Sequence, residues 1–393
     1  MRKVILCSDV DYPRGGAASN YLQYLALALQ AAGYRVELMV WKNPEYLSRI
    51  ESEGGWKGMP LHDLPRPESK NRIVHHLMNV QFYPHYLRKA FAKLNLHKGD
   101  VVFAYTNSVA IFQMLFGLRK KIGIRIAACP VEHFPKEHFT AKQYRIYQEY
   151  YDGCLPKTDL LFPISKAIRD YLAPSGKPMM LLPPLADVSE YAPVQKPTGK
   201  RRVIFPANGM MKDALGQMLG AIIDLPDALK ANMEFHLCGV KSSVLENLLA
   251  PAERSELEKL LTVHGWMEYD QLVDLYRSMH FLFIAREISQ TTLSNFPSKV
   301  PELLCHGVVP VASRVGEYTD GYLTDGENAI VFDGCDRDSC RRALIRALTL
   351  TDDEYNALSA NAYWTAKTKF DYTVWAPRLW NAIESTFPKE AAE

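Results

Sequence analysis

The stretch Ile284-Ala-Arg-Glu-Ile-Ser-Gln-Thr-Thr-Leu-Ser-Asn-Phe-Pro-Ser-Lys-Val-Pro-Glu302 continues through Leu303-Leu-Cys-His-Gly307 into Val308-Val-Pro-Val-Ala312. The apolar run His280 to Ile284 reads as a strand, Pro297-Ser298 marks a helix start after a polar loop, and Val308 to Ala312 reads as the next strand. Glu302 then falls on the early turns of that helix, a carboxylate at a ligand-facing mouth. Such a group accepts two hydrogen bonds from a vicinal diol such as a ribose.

The same alternation of β-branched runs and amphipathic stretches recurs in both halves of the chain. The second half supplies strand candidates at Arg202 to Pro206, Met233 to Leu237, Thr262 to His264 and Ala329 to Phe332. The first half supplies Lys3 to Cys7, Arg35 to Val40, Asp100 to Tyr105, Arg125 to Cys129, Asp159 to Ile164 and Met179 to Leu182. The helix from Ser19 to Ala32 carries Tyr21, Leu22, Leu25 and Leu29 on one face and stops at Gly33. Strand–helix alternation of this kind predicts parallel sheets covered on both faces. The expected fold is α/β, two doubly wound Rossmann-like domains facing across a cleft. The expected boundaries are 1–191 for the first domain, a Pro- and Gly-bearing linker at 192–200, 201–371 for the second, and a terminal helix over 372–393 that returns toward the first domain. That helix carries Trp375, Leu379, Trp380 and Ile383 as an aromatic, apolar face.

Composition narrows the function. The 393 residues are 48% hydrophobic and 23% charged, with Lys+Arg 46 against Asp+Glu 44. A filled core is available, and a net charge of +2 argues against affinity drawn mainly from nucleic-acid phosphates. Cys7, Cys129, Cys154, Cys238, Cys305, Cys335 and Cys340 are scattered and contain no Cys-x-x-Cys, so buried thiols are expected rather than disulfides or a zinc ribbon. Val4 to Cys7 is too short for a secretory apolar region and no run approaches the ~18 apolar residues of a spanning helix, so a cytoplasmic protein is expected. His75-His76, His133 and His138 lack metal-ligand spacing, and no metal or cofactor is expected.

Two glycine-bearing loops follow first strands. Gly15 and Gly16 precede the helix from Ser19, where backbone N–H groups can meet an anionic group, although a plain strand-to-helix turn explains a Gly pair equally well. In the second half Asn208-Gly209-Met210-Met211-Lys212-Asp213 enters a helix, and Lys212 there is a fixed positive charge for a phosphate or a solvated first-turn lysine.

Pro297-Ser298-Lys299-x-x-Glu302, Gly307 to Ser313, Gly316 and Asp325-Gly-Glu-Asn328 resemble the carboxyl-terminal domain of retaining, nucleotide-sugar-dependent glycosyltransferases of the GT-B fold, the group 1 or family 4 type that includes bacterial polysaccharide and mannosyl transferases. The likeness extends to His264-Gly265-Trp266-Met267, to the Gly209–Lys212 loop and, more weakly, to Gly15-Gly16. The resemblance implies catalytic roles for His133, Lys212 and Glu302: Glu302 on the nucleotide ribose, Lys212 on the donor diphosphate, His133 near the transferred sugar. Gly15, Gly16, Asn208, Gly209, Gly265, Trp266, Met267, Ser294, Asn295, Phe296 and Lys299 would complete the donor site. Members usually carry a glutamate eight positions before the second one, where this chain has Ser294, and an arginine before the diphosphate lysine, where it has Asn208 and Gly209.

The partners this implies are a nucleoside diphosphate sugar and a glycan or lipid-linked acceptor. From Arg66 to Lys98 there are seven Lys/Arg and one acid, interleaved with Phe82, Tyr83, Tyr86 and Phe91, a pattern suited to anionic lipid or to an ordinary solvated face. The expected activity is metal-independent sugar transfer with retention. A sugar-nucleotide epimerase and a non-catalytic nucleotide- or glycan-binding relative are the alternatives.

Overall fold

Runs such as Val101–Ala104 and Phe281–Ile284 are apolar at every position, which only a strand buried on both faces can use, and all eight residues are buried. The computed structural model describes residues 2–13, 16–66, 82–191, 195–209 and 212–388. The chain forms two units, Met1–Pro183 with Tyr372–Glu393, and Pro184–Asp371.

The first unit contains β1 (Lys3–Tyr12), β2 (Arg35–Lys42), β3 (Leu61–Asp63), β4 (Val101–Ala104), β5 (Arg125–Ala128) and β6 (Leu160–Leu161), in the sheet order β3-β2-β1-β4-β5-β6. The second contains β7 (Arg201–Pro206), β8 (Met233–Cys238), β9 (Leu261–Gly265), β10 (Phe281–Ile284), β11 (Val309–Ser313) and β12 (Ile330–Phe332), in the order β12-β11-β10-β7-β8-β9. Every strand pair is parallel. Counted from its own first strand, each sheet has the same doubly wound order, with switch points between β1 and β4 and between β7 and β10. In the second unit Val203, Phe205, Phe235, Leu237, Phe281, Phe283, Val309 and Val311 form the sheet side of a core closed by Leu215, Met218, Leu219 and Leu344 from helices.

The helix expected from Ser19 spans Ala17–Ala31, and Gly33, at φ +87°, ends it as Tyr34 N–H donates to Leu29 O at 3.2 Å. The terminal helix spans Tyr372–Thr386 and packs on Ala17–Ala31 within the first unit. Its buried face is Trp375, Ala376, Leu379 and Ile383, while Trp380 turns out to be exposed.

Three expectations need correction. Met179 to Leu182 forms no full strand: it lies along β6, with Met180 N–H donating to Leu161 O and Leu182 N–H to Pro163 O, both at 3.0 Å, but Pro163 has no N–H to return, and the pairing stops at an isolated bridge between Met179 and Leu161. The division between units falls after Pro183, ahead of the expected linker, because 184–191 is tied to the second unit: Ala186 N–H donates to Phe370 O at 2.9 Å and Val188 N–H to Asp371 Oδ2 at 3.0 Å. Of the expected linker, 192–194 lie outside the described residues. Residues 195–200 belong to the second unit, where Lys196 Nζ donates to Arg277 O at 3.0 Å and His306 O at 2.8 Å. Burial pushes that ammonium down to about 7. The strand β3 was not anticipated; three half-exposed residues leave too weak an alternation to read.

In the basic, aromatic stretch 67–81, which includes His75 and His76, lies outside the described residues. On the helix Tyr83–Ala92, Tyr83, Leu87 and Phe91 are buried, so only Phe82 and Tyr86 keep their rings outward beside Arg88, Lys89 and Lys93. Among the described residues no helix is long and apolar enough to cross a membrane.

Candidate functional site

In doubly wound sheets ligands meet the loops beyond the carboxyl ends of the strands at the switch point. In the second unit those are the loops after β7, β10 and β11. After β7 the chain turns through Asn208, which is exposed, and Gly209, at φ +71°, where a Cβ would sit 2.3 Å from Leu215 Cδ2. A side chain there would be strained at that φ and would have to displace Leu215. Lys212 follows, half-buried, and then Asp213.

After β10 comes Arg286, whose guanidinium is buried. Its Nε donates to Asp213 Oδ1 at 2.7 Å and its Nη1 to Asn295 Oδ1 at 3.0 Å. Its own N–H donates to Ser313 Oγ at 2.7 Å, and that hydroxyl donates back to Arg286 O at 3.1 Å. The short helix Gln290–Ser294 is capped by Ser289, which accepts from Thr292 N–H at 3.2 Å, and Ser294 Oγ is turned onto Thr291 O at 3.1 Å. Phe296 packs edge-on to Tyr318, Tyr322 and Phe370, with centroids 5.5–6.1 Å away. Its expected donor contact therefore becomes a core role, since all the ring's faces are occupied and it is 3% exposed.

The helix Lys299–Leu304 follows Ser298, and Lys299 Nζ lies 2.9 Å from Glu302 Oε2. Glu302 is buried, and the Lys299 ammonium also sits 5.9 Å from the Tyr276 ring centroid. Burial first, and the Glu302 carboxylate second, hold the Tyr276 hydroxyl well above its ordinary range. Burial likewise pushes the Cys238 thiol at the end of β8 up to about 12, with Lys299 pulling the other way. Lys299, Glu302, Tyr276 and Cys238 thus share one neighbourhood, charged on one side and apolar on the other. After β11, Gly316 at φ +69° starts the helix Glu317–Gly321, and Glu317 is buried. At the end of β9, Gly265 has φ +64°, Trp266 is 80% exposed and Met267 is half-buried. His264 Nε2 and His236 Nδ1 are 2.9 Å apart, and burial, then His264, pushes His236 down to about 4.

In the first unit Gly15 lies outside the described residues. Gly16, at φ +137°, precedes the helix Ala17–Ala31, and its carbonyl accepts from Ser19 Oγ at 2.9 Å. His133, beyond β5, sits against Tyr151 and Tyr171 with ring centroids 4.4 and 4.3 Å away and Tyr147 at 6.3 Å. Burial lowers the affinity of its ring for a proton, against the opposing pull of Asp152, so the imidazole is neutral near pH 7. Tyr171 Oη donates to Asp152 Oδ1 at 2.7 Å, which fixes one wall of the box. Among the described residues no group of three or more His, Cys, Asp or Glu could hold a metal ion.

Of the expected residues, Lys299 and Glu302 are in direct contact, and Lys212, Asn208 and Gly209 share one loop. Asn295 is tied to that loop's Asp213 through Arg286, a residue to which the sequence reading assigned no role. Its only signal is an arginine two residues beyond a fully apolar strand.

Residues 190–364 match the family of glycosyl transferases group 1. No curated protein matches the chain. Among solved structures it is similar to sucrose-phosphate synthase from Thermosynechococcus elongatus, at 15% identity and TM-score 0.73 over 99% of this chain and 100% of that one. It is also similar to HepE of Anabaena in complex with UDP-glucose, at 14% and 0.69 over 98% and 100%. A third is WaaG, a glycosyltransferase involved in lipopolysaccharide biosynthesis, at 15% and 0.68 over 97% and 99%. The fold is GT-B, as expected. The family match falls on the unit that carries Lys212, Lys299 and Glu302, and the chain is an enzyme of the glycosyltransferase class.

Proposed function

We propose that the enzyme moves a hexose from a UDP-linked donor to a hydroxyl of a glycan or glycolipid acceptor, with retention and without a metal ion. The observation that carries this is the Lys299–Glu302 pair at 2.9 Å on the first turns after the switch-point loop, in the segment that matches the family. A nucleoside diphosphate sugar presents a diol and a diphosphate side by side, and a carboxylate paired with a lysine is their complement. The base is inferred as uracil because HepE is held with UDP-glucose.

In this reading Glu302 accepts hydrogen bonds from the ribose hydroxyls while Lys299, 2.9 Å away, keeps the carboxylate aimed. Lys212 faces the diphosphate. As the C1–O bond to the β-phosphate breaks, the negative charge moves onto the departing phosphate, where a fixed cation stabilises the transition state more than the ground state. The acceptor oxygen bonds to C1 on the same face, so the nearest base for its proton is the departing phosphate oxygen itself. Neutral His133, held by its aromatic box, hydrogen-bonds the sugar without adding charge. An acceptor carried on anionic lipid suits Phe82 and Tyr86 beside Arg88, Lys89 and Lys93, and a cytoplasmic location at the membrane's inner face follows from such an acceptor.

One observation favours a second reading, a binding relative that does not transfer: at 294 the family's carboxylate is replaced by a serine turned onto Thr291 O. A thermal-shift panel of UDP, GDP, ADP and CMP and their sugar conjugates, with and without EDTA, tests both. A ligand at a hundredfold excess over its Kd adds about 2.7 kcal/mol to stability. A UDP-selective shift unaffected by EDTA, lost in Glu302→Ala, is the expected result. Binding without turnover of any donor sends the protein to the second reading, and a requirement for Mn²⁺ or Mg²⁺ overturns metal independence.

A further inference from the structure

The Lys212 loop and the segment leading into the Lys299–Leu304 helix are far apart in sequence, and one side chain joins them. Arg286 donates Nε to Asp213 and Nη1 to Asn295, and its backbone exchanges two hydrogen bonds with the Ser313 hydroxyl. The ends of β7, β10 and β11 therefore meet at a single residue. The ion pair it makes with Asp213 is nearly dry, its side chains 8% and 5% exposed. A buried pair of this kind adds little net stability over an apolar pair of similar size, yet it specifies geometry strongly, because the fork must point at both acceptors at once.

Two further facts fix what that geometry serves. Asp213 is bonded directly to Lys212 in sequence, so holding the Asp213 carboxylate fixes the backbone from which the lysine projects. Ala214 N–H donates to Ala285 O at 2.8 Å, a second tie between the same two loops beside Arg286. Lysine is a flexible stem with a point charge, and its contribution to a phosphate site depends on what its backbone is pinned to. The chain also lacks an arginine beside Lys212, so this pinning comes from across the switch point.

We infer that Arg286 is a positioning residue for the donor diphosphate, acting through Asp213 on Lys212 and through Asn295 on the helix that bears Lys299 and Glu302. The inference rests on the donor reading given above. Arg286 works by holding two loops in one register before the donor arrives, which lowers the cost of ordering Lys212 on binding.

The test compares UDP and UMP binding by calorimetry in the wild-type enzyme, in Arg286→Lys, and in the paired variant Arg286→Gln with Asp213→Asn, which leaves no buried charge unpaired. The wild type is expected to prefer UDP. In the paired variant that preference falls about tenfold, the worth of one charge-assisted hydrogen bond, while UMP binds as before. Arg286→Lys keeps the charge but not the fork and falls between. If the variants retain the full UDP-over-UMP preference, or lose UDP and UMP affinity in equal measure as a general loosening would cause, the inference is wrong. If the wild type itself binds UDP and UMP alike, the diphosphate reading fails and takes the inference with it.

Discussion

The two units share one strand order and differ in what stands beyond the strands. In the first, the segment after β5 is aromatic: His133 is enclosed by Tyr147, Tyr151 and Tyr171, and Phe139 stacks on Tyr147 at 4.6 Å. In the second, the segments after β7, β10 and β11 are joined by charge and hydrogen bonds through Arg286, Asp213, Asn295 and Ser313. An aromatic box suits a neutral, many-faced partner such as a sugar ring, and a charged cradle suits a diphosphate. One topology thus carries two different chemical surroundings, because the sheet fixes only where the loops emerge.

The largest effect that could break this division is at Lys212. Lys212→Ala should lower kcat by roughly a hundredfold or more, since a fixed cation on the departing charge is lost; initial rates with a saturating acceptor check it, and a loss of only a few-fold removes the lysine from the phosphate. His133→Gln should lower transfer on the order of tenfold while leaving the Kd for UDP unchanged. A change in UDP affinity there would mean that the first unit also holds the nucleotide.

Acid should separate the units as well. Burial pushes His236 and His280 down to about 4 and His306 down to about 3, all in the second unit. A folded value below the unfolded one means that the unfolded chain binds the proton first, so this stability is complete above about pH 6.5 and drains away as pH falls toward 4. At pH 5 each histidine costs roughly 1–2 kcal/mol. Hydrogen exchange at pH 7 and pH 5 should therefore show β7 to β12 losing protection ahead of β1 to β6, and the reverse order would contradict the assignment. The smallest effect is expected at Trp266, which stands 80% exposed. Trp266→Ala should leave the melting temperature within the change expected from about 0.5 kcal/mol, yet weaken nucleotide binding a few-fold if the ring lies against the base.

Much of this was legible in the chain. The strands from β7 to β12 fall within a residue or two of their expected places, because continuous β-branched and aromatic runs have few alternatives. Glu302 was legible from its spacing after Pro297-Ser298, and it does sit on the first turns of a helix. The family resemblance implies ligand-facing roles for Ser294 and Phe296, and a loop's polarity alone does not reveal that the serine is buried against Thr291 or that the phenylalanine completes an aromatic cluster. Proline and glycine in 192–200 resist regular structure and suggest a tether, but Lys196 finds carbonyls at the carboxyl ends of two helices.

The parallel sheets, the glycine turns at 209, 265 and 316, and the helix that carries Glu302 are written into the chain locally. These are local matters of side-chain shape, apolar period and backbone freedom, settled within a few residues of one another. Which charges meet depends on the closed fold: Arg286 with Asp213, seventy-three positions away, and Lys196 with carbonyls at 277 and 306. A hydrogen bond needs its partners within about 3 Å in space, and distance along the chain says nothing of that until the sheets have closed.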